Sequence, residues 1–431
     1  MGLGTRPTVV VSSKSPKGKT PRNSKVVHEV NPKLVNLQAL IDKLSKDMGG
    51  LGSIGFGSDI QWLDPERIRT GILGLDVLSA GGLPRRSLTQ FWGVFSSAKT
   101  STALMVMAAE QRAGRHVLLA PAETFNKQWA RELGCWIPYN PKEFAVAEMR
   151  SRARKAEWAE ERGLMEQYNQ SGAGRGEFVL ALHPHGDGML EMVAQAVNSN
   201  AISLAVVDSI AVCKPASLLD DNEVGDDERG SGRQIQMLIR FMNRCLSSFS
   251  KQYDASGVVK DGGGHHNEVA VLCINQARQV QGGMPQRGGG ASYKPSMGDA
   301  LRHFWNLSVE FRKGEQLGED DNLGGDRKVF TRHGITVNAH GDKSRVGPQY
   351  RNATWQFLIT EHGGRKRGTV NPAQEARIWG VYYDVIRKDG AWYTMPDGQR
   401  VNGKDAVQEV IENDPGLRQA IEDEVIIRCR Q

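Results

Sequence analysis

The feature that most constrains this chain is the octapeptide GVFSSAKT at residues 93–100. It has the spacing of a phosphate-binding P-loop, G-x-x-x-x-G-K-[ST], with Ala98 in place of the second glycine. A strand-like apolar run at 87–92 precedes it, and a helix-like run at 101–110 follows it. A strand, a loop and a helix in this order surround a phosphate with backbone N–H groups and a helix N-terminus. The sequence therefore predicts a nucleotide-binding protein, and in particular an ATPase.

The loop residues have separate predicted roles. Lys99 would reach the β- and γ-phosphates of ATP, and Thr100 would bind Mg²⁺. The other predicted nucleotide contacts are Gly93, Ser96, Ser97, Ala98 and Ser101. A non-glycine residue in the left-handed conformation costs roughly 1 kcal/mol, a strain that functional sites often carry. A degenerate loop in an inactive protein is the alternative interpretation of this stretch alone.

Three further apolar runs end in polar residues. The run at 117–122 ends at Glu123, the run at 201–207 ends at Asp208, and the run at 269–274 ends at Asn275 and Gln276. A buried strand that delivers Asp208 matches the Walker B pattern, in which the carboxylate holds Mg²⁺. Glu123 is placed to orient an attacking water as a general base. Gln276 is a candidate sensor of the γ-phosphate, or else an ordinary loop residue.

The order of these four strand ends resembles that of the bacterial RecA family of recombinases, and the chain looks most like a phage-type member. The resemblance runs from about residue 35 to residue 428, with insertions. Further segments that carry it are residues 41–46, 52–54, 70–76, 81–84, 206–211, 274–277 and 389–393. It implies that Lys99 and Thr100 bind phosphate and Mg²⁺, that Glu123 is the catalytic carboxylate, and that Asp208 is the Walker B acid. It also implies that Gln276 couples ATP to DNA binding.

Three more site residues follow from the resemblance. Trp129 stands where the family has a tyrosine that stacks on adenine, and a tryptophan offers a larger ring for the same contact. Simple core packing of Trp129 is the alternative. Lys343 and Arg345 resemble a Lys-x-Lys pair that reaches the γ-phosphate of the neighbouring subunit. A solvated, charged loop is the alternative for this pair.

Two loops resemble the DNA-binding loops of the family. The segment at 277–294 is rich in glycine and basic residues, and it follows Gln276 directly. The acidic segment at 218–227 matches the first DNA loop, where contact is made mainly through backbone and apolar groups. Phosphate contacts through backbone N–H groups and an inserted side chain suit single-stranded DNA. The predicted DNA contacts are Val224, Gly225, Arg278, Met284, Arg287, Gly288, Gly289, Tyr293 and Lys294. Ordinary connectors are the alternative.

The fold class expected is α/β, with a RecA-type P-loop ATPase core built on a mostly parallel central sheet. An N-terminal helix and strand element and a small α/β C-terminal domain flank this core. The predicted divisions are a disordered basic tail at 1–33, the N-terminal oligomerisation element at 34–68, the core at 69–360 and the C-terminal domain at 371–431. Polar insertions, interpreted as surface loops, are expected near 150–178, 254–267 and 315–328. The segment at 299–305 resembles the interface helix of the family, with His303 in place of the usual phenylalanine.

Charge and composition add three expectations. Residues 1–33 contain seven Lys and Arg residues and one Glu, which account for the whole formal net charge of +6. This tail is predicted to touch nucleic acid without sequence preference; a targeting presequence is the alternative. The five cysteines lack metal-ligand spacing, which favours reduced thiols, as in the cytosol. The resemblance implies the cytoplasm of a bacterial cell, or of the bacterial host if the protein is phage-encoded. The sequence contains no run of about 18 apolar residues, so no membrane span is predicted.

Together these patterns predict an ATP-dependent DNA recombinase. It would form a helical filament on single-stranded DNA and promote homologous pairing and strand exchange with double-stranded DNA, with ATP and Mg²⁺ as cofactors. A single-strand-binding or mediator protein is a further partner that the resemblance allows. The alternatives are a RecA-fold ATPase of another kind, such as a replicative helicase or a replication accessory protein, and a slow-hydrolysing filament protein.

Overall fold

The computed structural model describes residues 32–47, 66–150, 155–218, 227–253, 265–279, 293–322 and 328–431. The chain divides into two units, residues 1–59 and residues 60–431. The first unit contributes one described helix, α1 (Pro32–Asp47), on which Leu37 and Leu40 are exposed. The nucleotide site predicted from the sequence lies wholly in the second unit.

The second unit alternates helices and strands. Its helices are α2 (Leu73–Leu78), α3 (Lys99–Arg112), α4 (Lys127–Glu132), α5 (Pro141–Arg150), α6 (Lys155–Gln170), α7 (Gly186–Ser199), α8 (Asp227–Phe249), α9 (Gly298–Leu301), α10 (Pro372–Tyr382), α11 (Lys404–Asn413) and α12 (Pro415–Arg430). Its strands are β1 (Arg67–Ile68), β2 (Leu83–Pro84), β3 (Ser87–Gly93), β4 (Val117–Pro121), β5 (Phe178–Leu180), β6 (Leu204–Asp208), β7 (Gln252–Tyr253), β8 (His265–His266), β9 (Ala270–Gln279), β10 (Tyr293–Pro295), β11 (Leu307–Asn322), β12 (Lys328–Ser344), β13 (Asn352–Leu358), β14 (Arg387–Asp389), β15 (Trp392–Thr394) and β16 (Arg400–Asn402). A 3₁₀ turn spans Ala216–Leu218.

A nine-stranded sheet forms the centre of the second unit. Its strand order is β13-β12-β11-β3-β9-β6-β4-β5, and β10 pairs with β9 outside this path. The six neighbouring strands from β11 to β5 run parallel, and β12 and β13 are added antiparallel at one edge. Strand β3 is buried along its whole length, as expected where helices cover both faces of a parallel sheet. The α/β fold class with a mostly parallel sheet is confirmed.

Successive side chains of each strand enter different cores. In β6, Val206 packs into the core that contains Met107 of α3, whereas Val207 packs into the core that contains Val193 of α7 and Leu238 of α8. This alternation is the two-residue period of a strand. It places α3 on one face of the sheet and α7 and α8 on the other, with the carboxyl ends of the parallel strands left open between them.

The C-terminal helices and the small sheet β14-β15-β16 enclose a third core. Leu73 and Val77 of α2 belong to this core, so α2 packs against the C-terminal region. Glu375 of α10 is buried, and its carboxylate accepts backbone hydrogen bonds from Leu73 (2.9 Å) and Gly74 (3.3 Å). Burial raises the pKa of Glu375 to about 8. Contacts of the carboxylate and of the apolar core therefore tie α10 to the approach to the P-loop.

The interpretation of residues 315–328 as a surface loop is wrong for most of that segment. Strands β11 and β12 form a long hairpin whose ladder continues out to the pair Asn322 and Lys328. Glu315, Glu319 and Asp320 are exposed. Polar side chains are compatible with an antiparallel ladder that faces water, because the ladder is held by backbone hydrogen bonds. Polarity alone therefore did not distinguish a hairpin from a loop.

The other two insertions have different outcomes. The segment at 150–178 is helical before its glycine-rich part, as expected: α6 spans Lys155–Gln170, and a turn at 171–174 follows. Most of the segment at 254–267 lies outside the described residues, and its end forms β8, paired with β7. The segment at 299–305 is less helical than predicted, since α9 ends at Leu301. Trp305 is buried and His303 is exposed.

Candidate nucleotide-binding site

The predicted strand, loop and helix are all present around the P-loop. Strand β3 ends at Gly93 and α3 begins at Lys99. Gly93 has φ 156°, and a Cβ built there would lie 2.1 Å from the carbonyl oxygen of Phe311, so only glycine fits. Ala98 precedes the helix with φ 65° and ψ 18°, in the left-handed region that its place in the motif predicts. Ser96 shares this conformation, with φ 56°.

The amine of Lys99 lies inside the loop. Its Nζ donates hydrogen bonds to the carbonyl oxygens of Gly93 (3.1 Å) and Val94 (2.8 Å) and to Oγ of Ser97 (3.3 Å). The side chain is buried, and burial lowers the pKa of Lys99 to about 8 although two carboxylates attract the charge. At neutral pH the loop therefore surrounds a positive charge, placed for an anionic ligand.

Thr100 and Asp208 meet at the start of α3. The hydroxyl of Thr100 donates to Oδ2 of Asp208 at 2.8 Å, which joins the first turn of α3 to the end of β6. Burial raises the pKa of Asp208 to about 6, and the neighbouring charge of Glu123 acts in the same direction. The carboxyl is therefore ionised above about pH 6. A hydroxyl and a carboxylate oxygen are the ligands that Mg²⁺ prefers, so these two residues fit a magnesium site beside a phosphate.

Glu123 follows β4 and accepts two hydrogen bonds on one oxygen. Oγ of Ser209 and Nε2 of Gln276 each lie 2.9 Å from Oε1 of Glu123. Gln276 stands opposite Gly93 in the β3–β9 register, so the amide belongs to the strand beside the P-loop. Sequence reasoning missed Ser209; its position directly after the Walker B acid was the available signal. The carboxylate is thus held in place by donors from two other strand ends.

These strand ends enclose one cavity of about 300 Å³. Strands β3, β9, β6 and β4 are consecutive in the sheet, so their carboxyl ends lie side by side. The cavity is lined by Phe95, Ser96, Ser97, Ala98, Lys99, Thr100, Ser101, Glu123, Asp208, Ser209, Ile274, Gln276 and Ala277. The structure therefore brings together the predicted phosphate, metal and carboxylate residues, except for Gly93, whose carbonyl bonds Lys99.

Trp129 lies beside this cavity without lining it. The indole Nε1 donates to Oγ of Ser101 at 3.3 Å, and Ser101 does line the cavity. One edge of the ring system packs against Phe357, with centroids 6.1 Å apart and an interplanar angle of 89°. The side chain is half-buried. Core packing thus accounts for part of the ring, and the stacking role on adenine stays a prediction.

Lys343 and Arg345 are separate from the cavity of their own chain. Lys343 is half-buried on β12, so the alternative of a solvated loop is wrong for this residue. Its Nζ donates to the carbonyl oxygen of Arg302, and burial lowers the pKa of Lys343. Arg345 follows the strand and is exposed. Their action on a neighbouring subunit stays a prediction.

The predicted DNA contacts fall in two groups. Val224, Gly225, Met284, Arg287, Gly288 and Gly289 lie outside the described residues. The two ends of the glycine-rich segment at 277–294 belong to β9 and β10, which pair as a two-stranded antiparallel ribbon. In this ribbon Arg278 stands opposite Lys294, and Gln279 stands opposite Tyr293. The ribbon is fixed to the nucleotide site, because the backbone N–H of Ser296 donates to the carbonyl oxygen of Gln276 at 2.8 Å.

Comparison with known proteins points to one family. A model of the RecA N-terminal domain matches residues 35–139, and a model of the RecA C-terminal domain matches residues 379–429. An N-terminal and a C-terminal part of the chain thus both match the RecA family. The protein RecA of Chlorobium chlorochromatii is 26% identical over 404 residues, which cover 93% of both chains.

Other relatives give the same result. The protein RecA of Oleidesulfovibrio alaskensis is 24% identical over 88% of this chain and 87% of its own length. That of Paracoccus denitrificans is 24% identical over 90% of this chain and 88% of its own. RecA-named proteins thus match nearly the full length, although three residues in four differ. All five cysteines are buried and free, and no described helix combines the length and apolar composition needed to cross a membrane.

We expect Ala98→Gly to leave ATP turnover unchanged or to raise it. Glycine relieves the left-handed strain at φ 65°, roughly 1 kcal/mol, while the contacts of Lys99 and Thr100 remain. Steady-state hydrolysis with and without single-stranded DNA measures this. If only the glycine variant shows DNA-stimulated hydrolysis, the natural protein is a slow-hydrolysing filament protein. A clear fall in turnover would contradict the idea that Ala98 is tolerated strain.

Proposed function

We propose that this chain is a RecA-family, ATP-dependent DNA recombinase that forms a helical filament on single-stranded DNA and exchanges strands with duplex DNA. One observation supports the proposal most directly: Nε2 of Gln276 lies 2.9 Å from the carboxylate of Glu123, while β9, which carries Gln276, continues into the ribbon of the second DNA loop. A change at the γ-phosphate can therefore reach the candidate DNA loop through one strand.

The roles of the site residues follow from their contacts. The positive charge of Lys99 would attract the β- and γ-phosphates, and the backbone N–H groups of the loop would donate hydrogen bonds to the phosphate oxygens. Thr100 and Asp208 would hold Mg²⁺, which supplies charge neutralisation between the phosphates when it is bound. Glu123, fixed by Ser209 and Gln276, would orient the attacking water and accept its proton. Hydrolysis removes the γ-phosphate, and the contact of Gln276 is then free to change.

The contact from Gln276 to Glu123 is also the first step by which ATP in the cavity would affect the DNA loop. The amide has two N–H donors, so it can turn to share them between the carboxylate and a phosphate oxygen. Asn275 is buried beside it and donates to the carbonyl oxygen of Ser296 at 2.8 Å, so the strand and β10 move together. Binding of ATP would therefore alter the base of the ribbon, where Arg278, Tyr293 and Lys294 stand.

Filament formation would allow weak DNA contacts of single subunits to add up to stable DNA binding. Each subunit offers a small contact that is directed mainly at the DNA backbone, and stacked subunits multiply it. Lys343 and Arg345 lie away from their own cavity, as expected of residues that would serve the site of the next subunit. The basic segment at 1–33 would add contact without sequence preference.

Negative-stain electron microscopy with single-stranded DNA and a non-hydrolysable ATP analogue tests the assembly. We expect helical filaments that require both DNA and nucleotide, with nucleotide-free and DNA-free samples as controls. A strand-exchange assay with homologous and heterologous duplexes then tests the reaction. Closed rings would favour the ring-helicase alternative. Single particles without any assembly, or filaments that exchange no strands, would contradict the recombinase proposal.

A further inference from the structure

Arg367 lies over the indole of Trp129, beside the nucleotide cavity. Its Cζ is 6.0 Å from the centroid of the ring. Arg367 belongs to the connection between β13 and α10, which has the sequence EHGGRKRG at 361–368 and contains three basic residues. A guanidinium at this distance is at the outer limit of a cation–π contact. The pair is therefore loosely associated.

The position of Arg367 is set by α4, the helix that carries Trp129. The guanidinium pairs with Glu132, which lies one helical turn after Trp129. Gly368 brings the backbone close to the same helix: it has φ 79°, and a Cβ built there would lie 3.1 Å from the carbonyl oxygen of Glu132. Helix α4 therefore positions both the indole ring and the guanidinium. Arg367 remains 52% exposed at its side chain, so it can move.

Trp129 is fixed on its other sides. Ser101 accepts the indole N–H at 3.3 Å, and the ring of Phe357 lies perpendicular to the indole, with centroids 6.1 Å apart. Ser101 is also a wall of the P-loop cavity. A ligand whose phosphates occupy the loop would therefore have its remaining part beside this tryptophan, one side chain away.

We propose that Trp129 and Arg367 form a clamp for the purine base of the nucleotide, in which Arg367 closes on the face opposite the indole. A planar base between two groups needs van der Waals contact of about 3.5 Å on each side, or about 7 Å in all. The pair must open by only about 1 Å from the observed 6.0 Å. A guanidinium is planar and stacks on aromatic faces, so it suits this position better than an ammonium. This inference rests on the proposed binding of a nucleotide at the P-loop.

The clamp predicts selectivity for the base. A purine presents a larger π-face than a pyrimidine to both Trp129 and Arg367. The clamp should therefore increase the binding affinity for ATP more than the affinity for CTP. Glu132 is a positioning residue here, because it holds the guanidinium without reaching the base. Lys99, the proposed phosphate ligand, is held by the carbonyl oxygens of Gly93 and Val94 and not by this pair, so the phosphate and base parts of the site can be measured separately.

Calorimetric titration of the full chain tests the clamp. The ligands are ATP, CTP and inorganic tripolyphosphate, each with Mg²⁺, and the variants are Arg367→Ala, Arg367→Lys and the control Lys366→Ala. We expect Arg367→Ala to weaken ATP binding about tenfold, to reduce the preference for ATP over CTP, and to leave tripolyphosphate binding unchanged. Arg367→Lys should restore only part of the loss. Lys366→Ala removes the same charge from an exposed neighbour and should behave as wild type.

The other outcomes overturn the clamp in distinguishable ways. If Arg367→Ala binds ATP as tightly as wild type, or more tightly, the arginine does not grip the base and only occupies its place. If the variant loses affinity for ATP and for tripolyphosphate equally, Arg367 acts on the fold or on the phosphates. If wild-type protein binds neither ATP nor tripolyphosphate, the proposed nucleotide site fails, and the clamp fails with it. A thermal melting curve of each variant identifies unfolding.

Discussion

Replacing Lys99 with alanine should abolish ATP-dependent binding of single-stranded DNA. The lysine amine is held inside the P-loop by the carbonyl oxygens of Gly93 and Val94, and in the proposed site it would bind the β- and γ-phosphates. Removing it takes away a charge in a buried site, where electrostatic contacts are stronger than in water. We expect ATP affinity and hydrolysis to fall at least about a hundredfold, since such charge-assisted contacts contribute several kcal/mol in dry sites.

The measurement is binding of labelled single-stranded DNA with and without ATP, together with steady-state hydrolysis. Lys127→Ala is a matched control, because Lys127 is exposed at the start of α4 and makes none of these contacts. Hydrolysis by the Lys99 variant near the wild-type rate would show that the nucleotide site lies elsewhere in the protein.

The charges of this site set a pH range for its function. Burial lowers the pKa of Lys99 to about 8 and raises the pKa of Asp208 to about 6. Both groups are therefore charged between about pH 6 and pH 8. Below this range Asp208 becomes neutral and loses attraction for Mg²⁺; above it Lys99 becomes neutral and loses attraction for phosphate. Bound Mg²⁺ and phosphate would widen the range, because each stabilises the charged form of its partner.

The P-loop was predictable because its geometry is local. Eight consecutive residues determine the strand end, the left-handed Ala98 and the start of α3, so spacing alone located them. The meeting of Lys99, Glu123, Asp208 and Gln276 was also predictable, since neighbouring parallel strands present their carboxyl ends at one edge. Three apolar runs ending in polar residues, together with the run that leads into the P-loop, were sufficient for that inference.

Contacts between distant, polar segments were not predictable. Ser209 donates to Glu123 across 86 residues, and Arg367 reaches Trp129 from a loop with no apolar period. The pairing of β11 with β12 at 315–322 and at 328 was missed for a related reason: its ladder uses backbone groups, which every sequence has. Side-chain patterns report burial, so elements that water surrounds leave little trace in them.

Replacing Glu123 with glutamine should separate hydrolysis from binding. Glutamine has nearly the same shape, and its amide oxygen can still accept from Ser209 and Gln276, which lie 2.9 Å from Oε1 in the wild type. An amide cannot take a proton from water at neutral pH. We therefore expect the rate of ATP hydrolysis to fall by about 10²–10⁴, the usual contribution of a general base. ATP and DNA binding should persist, because Lys99, Thr100 and Asp208 keep their contacts.

Single-turnover hydrolysis and filament lifetime measure the two parts of this expectation. Filaments of the Glu123→Gln variant should form with ATP itself and should persist, whereas we expect wild-type filaments to disassemble as ATP is consumed. Ser209→Ala is the matched control: it removes one donor to the carboxylate but leaves the base, so hydrolysis should fall much less. A Glu123→Gln variant that hydrolyses ATP within about twofold of wild type would lie far outside the range expected for a general base. The water would then be oriented by another group. Loss of ATP binding along with hydrolysis would instead show that the carboxylate maintains the cavity, and that its contact with Gln276 is structural.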